Sequence, residues 1–550
     1  MALARPDFEP LPSLNDTEIH SRFARRSSPR PLCRVLVALV DGCWSLVQDV
    51  GNAFPHDKQR KDLLAAHSQT ANKPMPDLAQ LLKRGAKSAR NIFADPLPRN
   101  RVLRIDSMTV DNAKITFGYF AMDRSFQITL TLPRNLAVGI PLLPESARSQ
   151  LLTATAIAFA PFFFKLSDFE RVDVQTATLD HRSRVFFETF LTGGLGEFRY
   201  LQGLNPARKI RVTAAEDTST VVAAELPTRD HLLLLNGGGK DTIVAAELLK
   251  AGGQSFGWVT IRPNPTRRRV IEVSGVTEAI EIEYDIDTQI DELRAYPWGH
   301  IPHTSIVLAL GVLSAMLTGS RYVAAGNEYS SSFGNLRFRG AEVNHQYTKS
   351  YEYERGFSDF VRRRVTSSIE VFSVLRPFHD LQLAQLFSRQ TRYMKHFVSC
   401  NRGIRTGKWC LQCPKCAFTA LALYPFTDAG QRIEIFGEDP LQRAPLRQLV
   451  IDLASGATKP WECVGTRDEC LLALSMLLER NRELHFSQAP RRRDLERVVR
   501  DVNVQALRHD ILTRTQTEHS IPKPVATRLQ AGLACLGAGE LSVECTGSAH

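Results

Sequence analysis

The sequence predicts an α/β protein: a parallel-sheet domain preceded by a smaller N-terminal α+β domain. Three observations carry this. From residue 229 onward short apolar runs alternate with longer amphipathic ones, the pattern of strands joined by helices into a parallel sheet. The stretch LLLLNGGGKDTIVAAELLKAGG (residues 232–253) runs a buried strand into a glycine loop and then a helix. Upstream, RVLRIDSMTVDNAKITFGYFAMDRSFQITLTLP is β-rich and broken by Asp-Ser, Asp-Asn and Met-Asp-Arg, which reads as an antiparallel meander.

At 550 residues the chain is too long for one typical core, so two or three domains are expected. It is 43% hydrophobic and 23% charged, an ordinary globular composition. A net charge of +11 favours anionic partners: nucleotides, nucleic acid or phosphorylated metabolites. A solvated basic surface is the plainer reading of the same number. Residues 1–100 are Pro- and Arg-rich, SRFARRSSPRPLCR being the extreme case, and read as a poorly ordered extension with Met75 and Met108 as later candidate starts. CRVLVALVDGCWSLV carries Asp41 and no cleavage signature, so no signal peptide is read. LLTATAIAFAPFFFKL contains a proline and falls short of the ~20 residues of a membrane span, so it reads as a buried core helix. The expected compartment is the cytoplasm. Four of the ten cysteines crowd into residues 400–416, which argues for metal in a reducing compartment over a disulfide scaffold.

In chain order, the β-rich run is followed by a helical region over about 144–190. TGGLGEFRYLQGLNP then reads as a glycine-rich turn and linker. The parallel-sheet domain comprises strand HLLLLN, helix TIVAAELLKAGG, strands SFGWVTI and AIEIEYDI, helix HTSIVLALGVLSAMLTGS and strand RYVAAGN. Beyond about 430 helices predominate, APRRRDLERVVRDV being a charged one, and the last thirty residues read as weakly structured. The expected divisions are therefore 1–100, 101–227, 228–430 and a mostly helical 431–550.

A glycine loop between a buried parallel strand and a helix N-terminus is a ready anion site, because glycines let backbone N–H groups face a ligand and the helix dipole favours negative charge. Two familiar templates fail here. A Walker A loop needs Ser or Thr after its lysine, but Lys240 is followed by Asp241. The dinucleotide pattern lacks its last glycine. GGGKDT instead resembles the PP-loop, Ser-Gly-Gly-x-Asp-Ser, of the ATP pyrophosphatase superfamily. Gly237 stands at the first Ser of that motif and Thr242 at the last. The resemblance implies a PP-loop (adenine nucleotide alpha hydrolase-like) domain that holds ATP on Asn236, Gly237, Gly238, Gly239, Lys240, Asp241 and Thr242, with magnesium held partly by Asp241. A plain glycine-rich turn is the alternative.

CNRGIRTGKWCLQCPKCAFTAL places Cys400, Cys410, Cys413 and Cys416 at C-x9-C-x2-C-x2-C. Four thiolates so spaced can close on zinc with no open position, a structural role. The stretch resembles the zinc loop of 7-cyano-7-deazaguanine synthase, with one more residue between the first two cysteines. Cys463 and Cys470 remain outside it at an unremarkable spacing. In YVAAGNEYSSSFGN, Asn327 and Glu328 follow a parallel strand, where ligands bind; loop capping is the alternative. VNHQYTKSYEYE offers His345, Tyr347 and Lys349, against the alternative of a solvated amphipathic helix. Arg262, directly after the second strand, is a phosphate candidate.

The order of these motifs, with GGLGEFRYLQGLNP upstream, resembles a narrower family, the UDP-N-acetyl-muramoyl-L-alanyl-L-glutamate epimerases (MurL), over about residues 102–455. The resemblance implies conversion of the terminal L-Glu of a UDP-muramoyl dipeptide to D-Glu in peptidoglycan precursor synthesis, using ATP and magnesium. Its acid/base groups would be sought first at His345, Tyr347 and Lys349, then Glu328. The competing readings are another PP-loop adenylating enzyme, acting on a nucleobase or tRNA, and a non-enzymatic nucleotide-binding module, which the glycine at position 237 would suit. The substrate is the expected partner, without membrane or nucleic acid.

Overall fold

A computed structural model describes residues 101–550 except 218–222, 298, 405, 457–458, 482–484 and 544–550. The extension read over residues 1–100 lies outside the described residues. The first three strands, β1 (Val102–Asp111), β2 (Lys114–Ala121) and β3 (Arg124–Thr131), pair antiparallel in sequence order. Met122 and Asp123 both have positive φ, 52° and 58°, the two-residue turn that matches strand twist. The meander is thus as the sequence reads.

Helix α1 (Glu145–Phe159) is buried along most of its length, which is why LLTATAIAFA shows no polar face. Among the described residues no helix is long and apolar enough to cross a membrane. The helical region expected over 144–190 is interrupted by strand β4 (Arg171–Leu179), which pairs parallel to β1. Only Val172, Val174 and Leu179 face the core, too short an apolar alternation to register against its polar neighbours. Helix α2 (His181–Gly194) starts on Asp180, whose carboxylate accepts from Ser183 N at 2.6 Å. The expected turn and linker at TGGLGEFRYLQGLNP is instead the end of α2 and a further helix, α3 (Gly196–Leu201). Strand β5 (Arg211–Glu216) pairs parallel to β4.

The second half builds β6 (Arg229–Leu235), α4 (Lys240–Ala251), β7 (Phe256–Ile261), α5 (Pro265–Ser274), β8 (Ala279–Ile286), α6 (Thr304–Thr318) and β9 (Ser320–Ala325), at the positions the sequence indicates. A small hairpin follows, β10 (Leu336–Phe338) with β11 (Ala341–Val343), then α7 (Tyr351–Phe360) and β12 (Glu370–Ser373). Five strands pair in parallel in the order β12-β9-β6-β7-β8. The free edge of β8 takes β3 antiparallel, Leu130 opposite Tyr284, so front and parallel strands form one ten-stranded, mostly parallel sheet. The four leucines of β6 follow from burial on both faces: Leu232 and Leu234 enter one core, Leu233 and Leu235 the other.

Helices α8 (Asp380–Ser388), α9 (Pro414–Leu423), α10 (Ala444–Ser455) and α11 (Arg467–Arg480) extend the first core, the last two in the region beyond about 430 that the sequence reads as mostly helical. Of the last thirty residues, the described ones (521–543) are not weakly structured as expected: α12 (Lys523–Cys535) buries Val525, Leu529 and Leu533 against α4. The two helices cross with their backbones in contact. A Cβ on Gly532 would lie 2.2 Å from the carbonyl oxygen of Leu248, and one on Gly252 would lie 1.9 Å from that of Arg528. Gly532→Ala should therefore destabilise by about 1–3 kcal/mol, the cost of overpacking, despite the ~1 kcal/mol by which alanine favours a helix. Urea unfolding measures the sign directly.

Candidate active site

Strand β6 lies where the strand order reverses: its next strand in sequence, β7, is on one side and β9 on the other. At such a switch point connections leave toward opposite faces and open a crevice at the carboxyl ends. The glycine loop sits in that crevice. Asn236 shapes it, with Oδ1 accepting from Gly238 N at 3.0 Å and Nδ2 donating to Thr260 Oγ1 and the Arg267 carbonyl, both at 3.1 Å. Gly237 N donates to Thr242 Oγ1 at 3.1 Å. Gly238 has φ +77°, and a Cβ there would press Arg267 Cγ at 3.0 Å, so glycine is required on both counts. Gly239 caps α4 without a side-chain hydrogen bond and lies against Ser399.

The ends of β6, β9 and β12 contribute a cluster of buried charge. Lys240, 4% exposed, pairs with Asp241 and with Asp380. Burial would raise the Asp241 carboxyl, but Lys240, Lys415 and Lys349 outweigh it and hold the group below its ordinary range. Asp380 goes the other way, up to about 7, because burial and the neighbouring Asp241, Glu328 and Glu469 outweigh Lys240. Glu328 is raised too, by burial and then by Asp241. Asn327 donates to Ser373 Oγ at 3.1 Å, tying the loop after β9 to the end of β12. Arg376, fully buried, donates to the carbonyls of Glu328 (2.9 Å) and Lys349 (2.6 Å) and pairs with Glu354 at 2.8 Å. It fixes two candidate residues from behind.

Lys349 links this cluster to a second one. Its ammonium lies 3.4 Å from Cys463 Sγ and feels Glu328 and Asp241. Burial lowers it, yet those anions raise it well above the ordinary lysine value. His345 Nδ1 is 2.5 Å from Glu197 Oε2, and its ring lies beside Cys463. Burial would lower this imidazole, but Cys463 and Glu197 overrule it and raise it to about 9. Burial likewise raises Cys463, but Lys349, Lys415 and His345 hold the thiol well below its usual value. His300 packs on His345 with ring centroids 4.3 Å apart, and burial followed by the His345 charge keeps it well below the ordinary histidine value. Glu197 is held by α3, itself anchored where Arg199 Nε donates to buried Asp168 at 2.9 Å.

Of the sequence-derived candidates, the glycine loop, Asn327, Glu328, His345 and Lys349 line one continuous region. Tyr347 is not brought into it: its ring packs on Gly193 and its hydroxyl donates to Glu352 at 3.3 Å. Arg262 adopts φ +55° and its guanidinium lies 5.1 Å over the Tyr284 ring. Glu197, His300, Asp380, Lys415 and Cys463 were missed. Asp380, a few residues beyond the fifth parallel strand, could have been found by the carboxyl-end rule; the others carry no local signal.

Cys400, Cys410, Cys413 and Cys416 converge, with sulfur separations of 3.9 Å (Cys400–Cys413) and 3.6 Å (Cys410–Cys416 and Cys413–Cys416). Corners of a tetrahedron about 2.3 Å from a central ion lie ~3.8 Å apart, so the four sulfurs fit a metal ion. Their loop braces both clusters. Ser399 meets Gly239, Asn401 donates to Glu462 at 2.5 Å, and Lys415 donates to the Cys463 carbonyl at 2.6 Å.

Charged and hydrogen-bonding groups gathered at the switch point of a parallel sheet mark the chain as an α/β protein with an enzyme-type crevice. Residues 97–374 match the family model of the MurL N-terminal domain and residues 396–506 that of the MurL C-terminal domain. The chain belongs to the MurL family. A relative from Xanthomonas oryzae pv. oryzae (strain MAFF 311018) is 32% identical over 391 residues, covering 68% of this chain and 84% of the relative. One from Micromonospora sp. (strain ATCC 39149) is 28% identical over 457 residues, 79% of this chain and 100% of the relative. A third, from Salinispora tropica, is 28% identical over 407 residues, 70% of this chain and 88% of the relative. All three are named UDP-N-acetyl-alpha-D-muramoyl-L-alanyl-L-glutamate epimerase.

The cysteine geometry leads to a direct expectation. Purified protein should carry about one metal ion per chain by elemental analysis, the stoichiometry of a four-thiolate site. Cys413→Ala should lose the metal, and with it solubility, because the same loop braces Gly239 and Cys463. Soluble, stable protein without metal contradicts this.

Proposed function

We propose that this protein epimerises the terminal L-Glu of UDP-MurNAc-L-Ala-L-Glu to D-Glu, consuming ATP and releasing AMP and pyrophosphate, in peptidoglycan precursor synthesis. The observation that carries the reading is the match to both MurL domain models, together with the reaction named for the three relatives. The juxtaposition of an anion loop and a proton-transfer cluster supports it.

The chemistry explains why the two belong together. Removing Hα beside a free carboxylate would place two negative charges on one enediolate. In the proposed route an α-carboxylate oxygen attacks the α-phosphorus of ATP and pyrophosphate leaves. The resulting mixed anhydride carries one charge fewer at the reacting carbonyl, and its Hα is far more acidic. A base removes that proton, an acid returns one on the other face, and water cleaves the anhydride to D-glutamate and AMP. The glycine loop acts as a PP-loop, its backbone N–H groups and the α4 N-terminus receiving the phosphates. Asp241 would hold magnesium in part through a carboxylate oxygen, the ligand type the ion prefers, and the ion would neutralise phosphate charge. The four cysteines would hold zinc structurally. His345, Lys349 and Glu328 are the groups to which this reading gives the acid/base work, and the protein would work in the cytoplasm, where its nucleotide substrates are made.

In heavy water with ATP, magnesium and the UDP-muramoyl dipeptide, AMP and pyrophosphate should form only when the dipeptide is present. Deuterium should enter Cα of glutamate and not of alanine, and chiral analysis should return D-glutamate. Asp241→Asn should abolish all of these while circular dichroism stays unchanged. Deuterium uptake without ATP would exclude activation by adenylation, and pyrophosphate release without inversion would point to a ligase.

A further inference from the structure

Cys463 lies outside the four-cysteine group, yet its surroundings are not those of a structural cysteine. It is a free thiol and only partly buried. Its Sγ is 3.4 Å from the Lys349 ammonium and lies beside His345, while Lys415 holds its carbonyl at 2.6 Å. Two half-buried lysines, Lys349 at the sulfur and Lys415 at the carbonyl, favour a thiolate at Cys463, and a thiolate among charges is the environment of a reactive cysteine.

The supporting contacts fix where that sulfur points. Asn335 Oδ1 accepts from His345 N at 2.8 Å, and Asn335 Nδ2 donates to the Pro460 carbonyl at 2.8 Å. One asparagine thus sets the spacing between the histidine and the segment leading to Cys463. Glu197 accepts from His345 Nδ1 at 2.5 Å. That contact pairs the carboxylate and ring nitrogen directly with each other, so Glu197 orients the imidazole beside Cys463. Sulfur, imidazole and carboxylate are thus grouped as nucleophile, base and orienter are in covalent catalysis. Lys349 bridges this group and the glycine-loop cluster, 3.4 Å from Cys463 Sγ and within the field of Glu328 and Asp241.

We propose that Cys463 is a catalytic residue of the epimerisation, the group that takes and returns the glutamate α-proton on one face of Cα, with His345 as its positioning residue. This rests on the adenylation reading above. In the step, a lone pair of the Cys463 thiolate takes Hα as a new S–H bond forms. The C–H electron pair becomes the C=C bond of the enolate, and its charge passes to the carbonyl oxygen of the mixed anhydride, near the Lys349 ammonium. The Glu328 carboxyl then delivers a proton to the opposite face as its O–H bond breaks, after which Cys463 gives its proton to solvent and Glu328 takes one back. Epimerisation of the D-epimer runs the same steps backwards. No oxidant or reductant is involved.

The test uses the full-length protein and both epimers of the UDP-muramoyl dipeptide, with ATP and magnesium in heavy water. Cys463→Ala and Cys463→Ser should both still release AMP, which shows a folded, adenylating protein. Inversion should fall about 100-fold or more, the scale of losing a general acid or base. Exchange of Hα for deuterium should persist for one epimer and vanish for the other, because only one face has lost its base. Inversion near the wild-type rate, or equal loss of exchange from both epimers with AMP release intact, would overturn the role of Cys463 while leaving the reaction standing. Wild-type protein that forms no AMP with either epimer would overturn the reading of the reaction, and this proposal with it.

Discussion

The double pairing of β6, with β7 on one edge and β9 on the other, is the constraint on which the rest of the molecule depends. It buries the strand on both faces and so requires leucine at consecutive positions. It also leaves the carboxyl end as the place where charge can gather, since both sides of the sheet are core. Lys240, Asp241, Glu328, Asp380 and Lys349 all emerge on loops or helix starts around that end. Their compensation is mutual. Removing one partner from a buried ion pair typically costs about 3–5 kcal/mol, because the other charge is left alone in low dielectric. The site's electrostatics and the local stability of the fold are therefore one problem.

The cysteine loop has a place in that arrangement that its spacing alone does not convey. Its residues touch both halves of the crevice: Ser399 at the glycine loop, and Asn401 and Lys415 at the segment carrying Cys463. A metal ion there would act as a strut between the glycine-loop end and the His345–Cys463 end. Arg376 does the same work on the opposite wall, holding the backbones of Glu328 and Lys349 through one guanidinium.

Features written in consecutive residues were legible before the structure. The glycine loop, the four-cysteine spacing and the strand–helix alternation after residue 229 each depend on local periodicity or turn chemistry. What failed did so for identifiable reasons. Strand β4 shows apolar alternation only at Val172 and Val174 before polar residues intervene. TGGLGEFRY looked like a linker because of its glycines, but these allow close approach to Tyr347 and Pro302 within and beside a helix end. Helix α12 follows prolines and is rich in small residues, which disguised a contact face built for backbone proximity. The cluster around His345 was only half visible. His345 and Lys349 share a short segment, whereas Glu197, His300 and Cys463 come from parts of the chain that tertiary structure alone brings together.

The central claim is that activation at the glycine loop and proton transfer at the His345–Cys463 end act on one carboxylate in one crevice. The most direct measurement follows oxygen. With both α-carboxylate oxygens of the dipeptide's terminal glutamate labelled with oxygen-18, the mixed anhydride must pass one of them to phosphorus when water attacks its carbonyl carbon. Mass spectrometry of the nucleotide should find one oxygen-18 in AMP for each turnover that carries the glutamate through activation. Inverted glutamate accompanied by unlabelled AMP, or by no AMP at all, would contradict the account.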